Sequence, residues 1–185
     1  SAIGSHACAI TTGGVLKCWG YNDRGQVGDG TATLQSAPVV IDSGVTYSDV
    51  ALGDRVSCAI TTSNELKCWG GSFGTTLSIL GYNASPIPRV IDSGVSYSKI
   101  DINYNSGDAC AVTAAGVLKC WGPSPYDALG LGYGAKAAVP TVIDSAHTYS
   151  DVQGTCAITT NGKLICWSSA QNFIYGNYVF GYQDV

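Results

Sequence analysis

Eight cysteines stand in four pairs, each bracketing nine residues: Cys8 and Cys18, Cys58 and Cys68, Cys110 and Cys120, Cys156 and Cys166. Thiols at a fixed spacing can hold a metal or close a disulfide. Zinc pairs usually sit about two to four residues apart, and only His6 and His147 are on hand to complete a ligand set. Equal spacing therefore favours four disulfides made in an oxidising compartment, and no metal or other cofactor is expected.

The remaining chemistry-bearing residues have structural explanations. His6 and His147 fall at non-equivalent places in the sequence, and nothing in their spacing suggests a nucleophile, base and acid acting together. Asp23 and Asp29 lie among Gly25, Gly28 and Gly30 but lack the ordered ligand spacing and terminal Glu of a calcium loop. A folded polar turn explains them. Asp42, Asp92 and Asp144 recur in an Ile-Asp-Ser turn, where the carboxylate can accept from backbone two residues on. Trp19, Trp69, Trp121 and Trp167 could form a sugar-binding row, but each faces a small residue, which favours core packing. Asn83 begins a glycosylation acceptor pattern, followed by Pro86, that chance explains better.

The cysteines belong to one recurring unit, CAITTGGVLKCWG in residues 8–20, with further copies beginning at Cys58, Cys110 and Cys156. Gly14, Asn64, Gly116 and Gly162 occupy the loop position where a three-residue hairpin connection needs positive φ. That turn sets Cys8 opposite Cys18 in a non-hydrogen-bonded pair, with Cα atoms about 4.5 Å apart and within disulfide reach. The same register pairs Ile10 with Leu16 on the cysteine face and Ala7 with Trp19 on the other. Both faces of each hairpin are prepared for burial.

The tryptophans recur at intervals of 50, 52 and 46 residues. A period of about 50 residues with about four short strands per unit predicts an all-β chain of propeller-type blade repeats, as a closed small ring or an open array. We read residues 1–185 as a single domain of four repeats, about 1–50, 51–102, 103–152 and 153–185. The terminal YQDV matches the YSDV at Tyr47 and Tyr149, so the two ends are in phase. A ring, a longer array or head-to-tail contact between copies would each satisfy that phase. The aromatic run Tyr175, Tyr178, Phe180 and Tyr182 lies in the irregular fourth unit and could equally complete a core or form a sticky contact with a neighbour, serving self-association.

Residues 4–31, GSHACAITTGGVLKCWGYNDRGQVGDGT, and the TVIDS beginning at Thr141 resemble the regulator of chromosome condensation repeat in its bacterial secreted form with paired cysteines. The resemblance touches all four units and is strongest in the first. It implies a β-propeller of four-stranded blades, in a family whose rings usually hold more blades than four. Members of that family include a nucleotide-exchange factor that binds chromatin and a bacterial protein inhibitor of β-lactamases. The first role does not suit a chain with net charge −4.

Only 12% of residues are charged, which argues against nucleic acid as a partner, and no apolar run is long enough for a membrane span. The expectation is a non-enzymatic structural or interaction protein, secreted, on the cell surface or periplasmic. Its expected partner is itself, with a head-to-tail filament as the sharpest form. The alternative is a module that binds a protein or glycan through Gly-rich loops such as residues 22–31.

Overall fold

The computed structural model describes residues 2–3, 6–71, 84–104, 107–123, 129, 131 and 137–167. These residues form strands and connections, with no helix among them. The first sheet holds β1 (Ala2–Ile3), β2 (His6–Ile10), β3 (Leu16–Gly20) and β4 (Gln35–Val40). The second holds β5 (Tyr47–Leu52), β6 (Val56–Thr61), β7 (Leu66–Gly70) and β8 (Ser85–Val90). The third holds β9 (Tyr97–Ile102), β10 (Ala109–Thr113), β11 (Leu118–Gly122) and β12 (Ala137–Asp144). The fourth, among the described residues, holds β13 (Tyr149–Gln153), β14 (Cys156–Thr159) and β15 (Leu164–Cys166). Within each sheet the strands are antiparallel and follow chain order.

Each sheet is built on the cysteine hairpin. In the first, Gly14 N–H donates to Thr11 O and Thr11 N–H to Val15 O, and Gly14 has φ of 79°. Asn64, Gly116 and Gly162 repeat the positive φ, the conformation expected of a type I turn followed by a bulge residue. Thr11 Oγ1 also accepts from Val15 N–H, and Thr61, Thr113 and Thr159 do the same for Glu65, Val117 and Lys163. A threonine before the turn thus fastens each loop. The resulting register sets cysteine opposite cysteine, and disulfides join Cys8–Cys18, Cys58–Cys68, Cys110–Cys120 and Cys156–Cys166.

The fourth strand of the first three sheets shifts register where it passes the tryptophan. Cys18 pairs with Val39 but Gly20 with Gln35, so the residues between, Pro38 included, bulge outward. Pro88 and Pro140 occupy the matching bulges. An outer edge strand needs no N–H there, and proline with a bulge discourages edge pairing with other chains.

The sheets stack face to face. Cys8, Leu16, Cys18 and Ile41 form one apolar cluster with Tyr47, Leu52, Ala59 and Trp69, so the cysteine face of the first sheet covers the tryptophan face of the second. The core continues from the second sheet to the fourth through Ile60, Leu66, Trp121, Leu118 and Trp167. Trp69 and Trp121 are fully buried, and at about 25 cal/mol per Å² an indole covered this way stabilises by roughly 4 kcal/mol. Trp19 departs from the expected core role: it is only half-buried, because among the described residues no sheet precedes it.

First strands of successive sheets meet at their inner ends. Asp49 Oδ2 accepts from Ile100 N–H at 3.4 Å, and Asp101 Oδ2 from Gly154 N–H at 2.5 Å. Burial, together with the neighbouring Asp49 and Asp151 charges, raises the Asp101 carboxyl above its ordinary range, despite the backbone donors Gly154 and Ile102.

Candidate functional site

The recurring polar side chains converge on the seams between sheets. At the first seam Asp42 Oδ2 accepts from Tyr47 Oη at 2.7 Å and from Lys67 Nζ at 2.8 Å. At the second, Asp92 Oδ2 accepts from Tyr97 Oη at 2.5 Å and from Lys119 Nζ at 2.8 Å. Burial alone would push both carboxyls up. The lysine ammonium and tyrosine hydroxyl outweigh it and hold them below the ordinary carboxylate range. Burial and the adjacent aspartate raise the Tyr47 and Tyr97 phenols in turn.

The third seam keeps the plan and changes one part. Asp144 Oδ2 accepts from Tyr149 Oη, but Ile165 stands where Lys67 and Lys119 stand, and His147 Nδ1 lies 2.8 Å from the carboxylate instead. Asp144 Oδ1 also accepts from Ala146 N–H at 2.7 Å, which is the backbone capping expected two residues on. Asp42 and Asp92 put their Oδ2 atoms to a different use, holding the next sheet. The tyrosine five residues after each aspartate was visible in the sequence and marks this role; its lysine partner, some 25 residues further on, was not.

A second group sits where the loop after β3 meets the second sheet. His6 Nε2 lies 2.9 Å from Ser57 Oγ, and Ser57 Oγ donates to the backbone carbonyl of Gln26 at 2.8 Å. Because the Ser57 proton is committed to that carbonyl, His6 Nε2 must be the donor to Ser57. Trp69 Nε1 donates to the same carbonyl at 3.0 Å. Histidine and serine therefore meet, with Asp54 near enough to act on His6 through its charge, a grouping that positions 51 residues apart do not disclose. It does not form a catalytic set: the hydroxyl is fully buried, and the histidine faces it as a donor rather than a base. Burial holds the His6 imidazole down at about 4, with Asp54 opposing weakly.

The Gly-rich excursion is part of this packing. Val27 and Gln26 are fully buried, and a Cβ on Gly28, whose φ is 90°, would lie 2.7 Å from Cδ1 of Trp69. Asn22 closes the loop by donating from Nδ2 to Asp29 Oδ1 and accepting Val27 N–H at Oδ1. Asp29 also accepts from Thr31 N–H, Thr31 Oγ1 and Gln35 Nε2. Asp23 meets Gln26 Nε2 and Arg24 Nε. Both carboxylates are thus engaged by protein donors, as in a folded polar turn. The exposed parts of the loop are Tyr21 at its near end and its far end, including Thr31 and Leu34. Asn83, Tyr175, Tyr178, Phe180 and Tyr182 lie outside the described residues.

Four sheets, each repeated every 46 to 52 residues and joined by the same seam, form the setting for the comparisons with known proteins. Residues 4–26 and 47–73 match the family model described as the regulator of chromosome condensation (RCC1) repeat. Two stretches of the chain, one in each of the first two repeats, are thus similar to the RCC1 repeat. E3 ubiquitin-protein ligase HERC2 of Mus musculus and of Homo sapiens are each 28% identical to this chain over 174 residues, 89% of this chain and 4% of the ligase. The chain therefore spans only a small part of these curated relatives. Among solved structures, human WBSCR16 superposes with a TM-score of 0.75 at 21% identity, over 90% of this chain and 46% of that one. Prp20p of Saccharomyces cerevisiae gives 0.66 at 21% identity, over 80% and 39%. These likenesses establish the fold as an RCC1-type array of β-propeller blades.

Proposed function

We propose that this chain is a non-enzymatic, disulfide-stapled propeller module that works by holding proteins, itself foremost, outside the reducing interior of the cell. One observation carries the reading: the polar groups of the seams, the recurring Asp42 and Asp92 sets and the single His6–Ser57–Gln26 group, are engaged in fastening blade to blade. What the chain offers a partner is a rigid surface rather than a reactive centre. Solved RCC1-type relatives fit a protein-holding role, since Prp20p is described with its binding to Gsp1p and histones and in complex with Kap60.

The four intra-hairpin disulfides support a secreted, cell-surface or periplasmic location. Among the described residues no helix is long and apolar enough to cross a membrane. Packing of residues 26–28 against Trp69 weakens the second reading, a loop that recognises a foreign protein or glycan. Self-association of the blades, in its extended form a head-to-tail filament, is the favoured reading, with Tyr175, Tyr178, Phe180 and Tyr182 as proposed contributors. Light scattering of the purified chain over a concentration series, with electron micrographs of the same samples, tests it. Growth in mass with concentration is expected, and a strict monomer throughout would refute it.

A further inference from the structure

Every seam inside the chain has the same two halves. The cysteine face contributes an aliphatic pair beside the disulfide, and the tryptophan face contributes alanine, serine or threonine beside the indole. Where a following sheet covers the cysteine face, Ile60, Leu66 and Leu118 are fully buried. Where a preceding sheet covers the tryptophan face, Ala59, Ala111, Trp69 and Trp121 are fully buried.

Two faces lack such a cover among the described residues, and they are one of each kind. On the fourth sheet Ile158 is 40% exposed and Leu164 42% exposed, and the Cys156–Cys166 pair beside them is half-buried. On the first sheet Ala9 is exposed, and Ala7 and Trp19 are half-buried. The residue types match those of the closed seams: Ile158 and Leu164 repeat Ile60 and Leu66, and Ala9 and Trp19 repeat Ala59 and Trp69.

We propose that the cysteine face of the fourth sheet docks on the tryptophan face of the first sheet in a second copy of the chain, repeating the internal seam between molecules. This rests on the self-association reading above and assigns it a surface. A second copy is the fitting occupant because the chain already shows, three times over, that these two faces bind each other. The contact is heterologous, so it either closes into a ring of copies or continues as a filament.

The test is sedimentation velocity on the whole 185-residue chain and on Ala9→Glu and Leu164→Glu, singly and mixed in equal amounts. Both substitutions fall on solvent-facing positions, and circular dichroism with thermal melting checks that each variant folds. Ile158→Glu replaces Leu164→Glu should the latter not fold. A carboxylate buried unpaired in the contact should weaken association on the order of 100-fold in each variant alone. The mixture keeps one intact pair of faces, the fourth sheet of Ala9→Glu and the first sheet of Leu164→Glu. It should therefore recover a species of two chains and nothing larger. Association of either single variant at wild-type strength, or a mixture that stays monomeric, overturns the assignment while leaving self-association standing. A wild-type chain that never associates removes both.

Discussion

Removing the carboxylate at the second seam, Asp92→Ala, takes away the acceptor of two donors at once. Tyr97 is fully buried, so its hydroxyl has no route to water, and an orphaned buried donor costs about 1–3 kcal/mol. Lys119 loses its partner as well, but its side chain is 16% exposed and can turn its ammonium outward, which limits that loss to about 1 kcal/mol. The sum is about 2–4 kcal/mol, or a fall in melting temperature of several degrees for a chain of this size. Lys119→Ile reproduces the pattern of the third seam, where Ile165 holds the lysine position and the Asp144–Tyr149 bond persists. It should cost only about 1 kcal/mol. Urea denaturation followed by tryptophan fluorescence measures both. The reasoning fails if Asp92→Ala lies within error of wild type, or if Lys119→Ile is the more damaging change, because the phenol would then not be the anchor.

Two further outcomes follow from the seam around His6. Its imidazole is held at about 4, against 6.5 for the free group. Between those values the unfolded chain binds the extra proton, so this contribution is present above pH 6.5 and is lost as pH falls toward 4. Between pH 7 and pH 5 that amounts to about 2 kcal/mol, and His6→Gln should flatten the stability profile over this interval; an unchanged profile contradicts the burial argument. Asp42 and Asp92, with depressed carboxyls, lose their contribution only at still lower pH, below the ordinary carboxylate range. Gly28→Ala forces a methyl group against the Trp69 indole at a positive φ and should cost at least about 3 kcal/mol, seen as an early fluorescence transition. A neutral Gly28→Ala would mean the excursion does not seat on Trp69.

How far the sequence reached depended on the length of chain each contact spans. The hairpins were legible because a nine-residue interval and a positive-φ turn residue fix Cys8 against Cys18 and Ala7 against Trp19 locally, and the structure has that register. The blade fold was legible from the repeat interval. The seams were not, since they join residues in different units: Gln26 meets Trp69, His6 meets Ser57, and Asp42 meets Lys67. The Ile-Asp-Ser turn shows the same limit. Its local reading holds at Asp144, which caps Ala146, but the larger role of the aspartate depends on how one sheet stacks on the next. The half-burial of Trp19 belongs to the same class, because a face is buried only where a neighbour arrives.

Peptide mapping of the native chain under non-reducing conditions tests most directly that each blade is stapled within its own hairpin in an oxidising environment. The account predicts four linked peptide pairs, Cys8 with Cys18, Cys58 with Cys68, Cys110 with Cys120 and Cys156 with Cys166, and no alkylatable thiol. Links between different hairpins, or eight free thiols in the native protein, would contradict it.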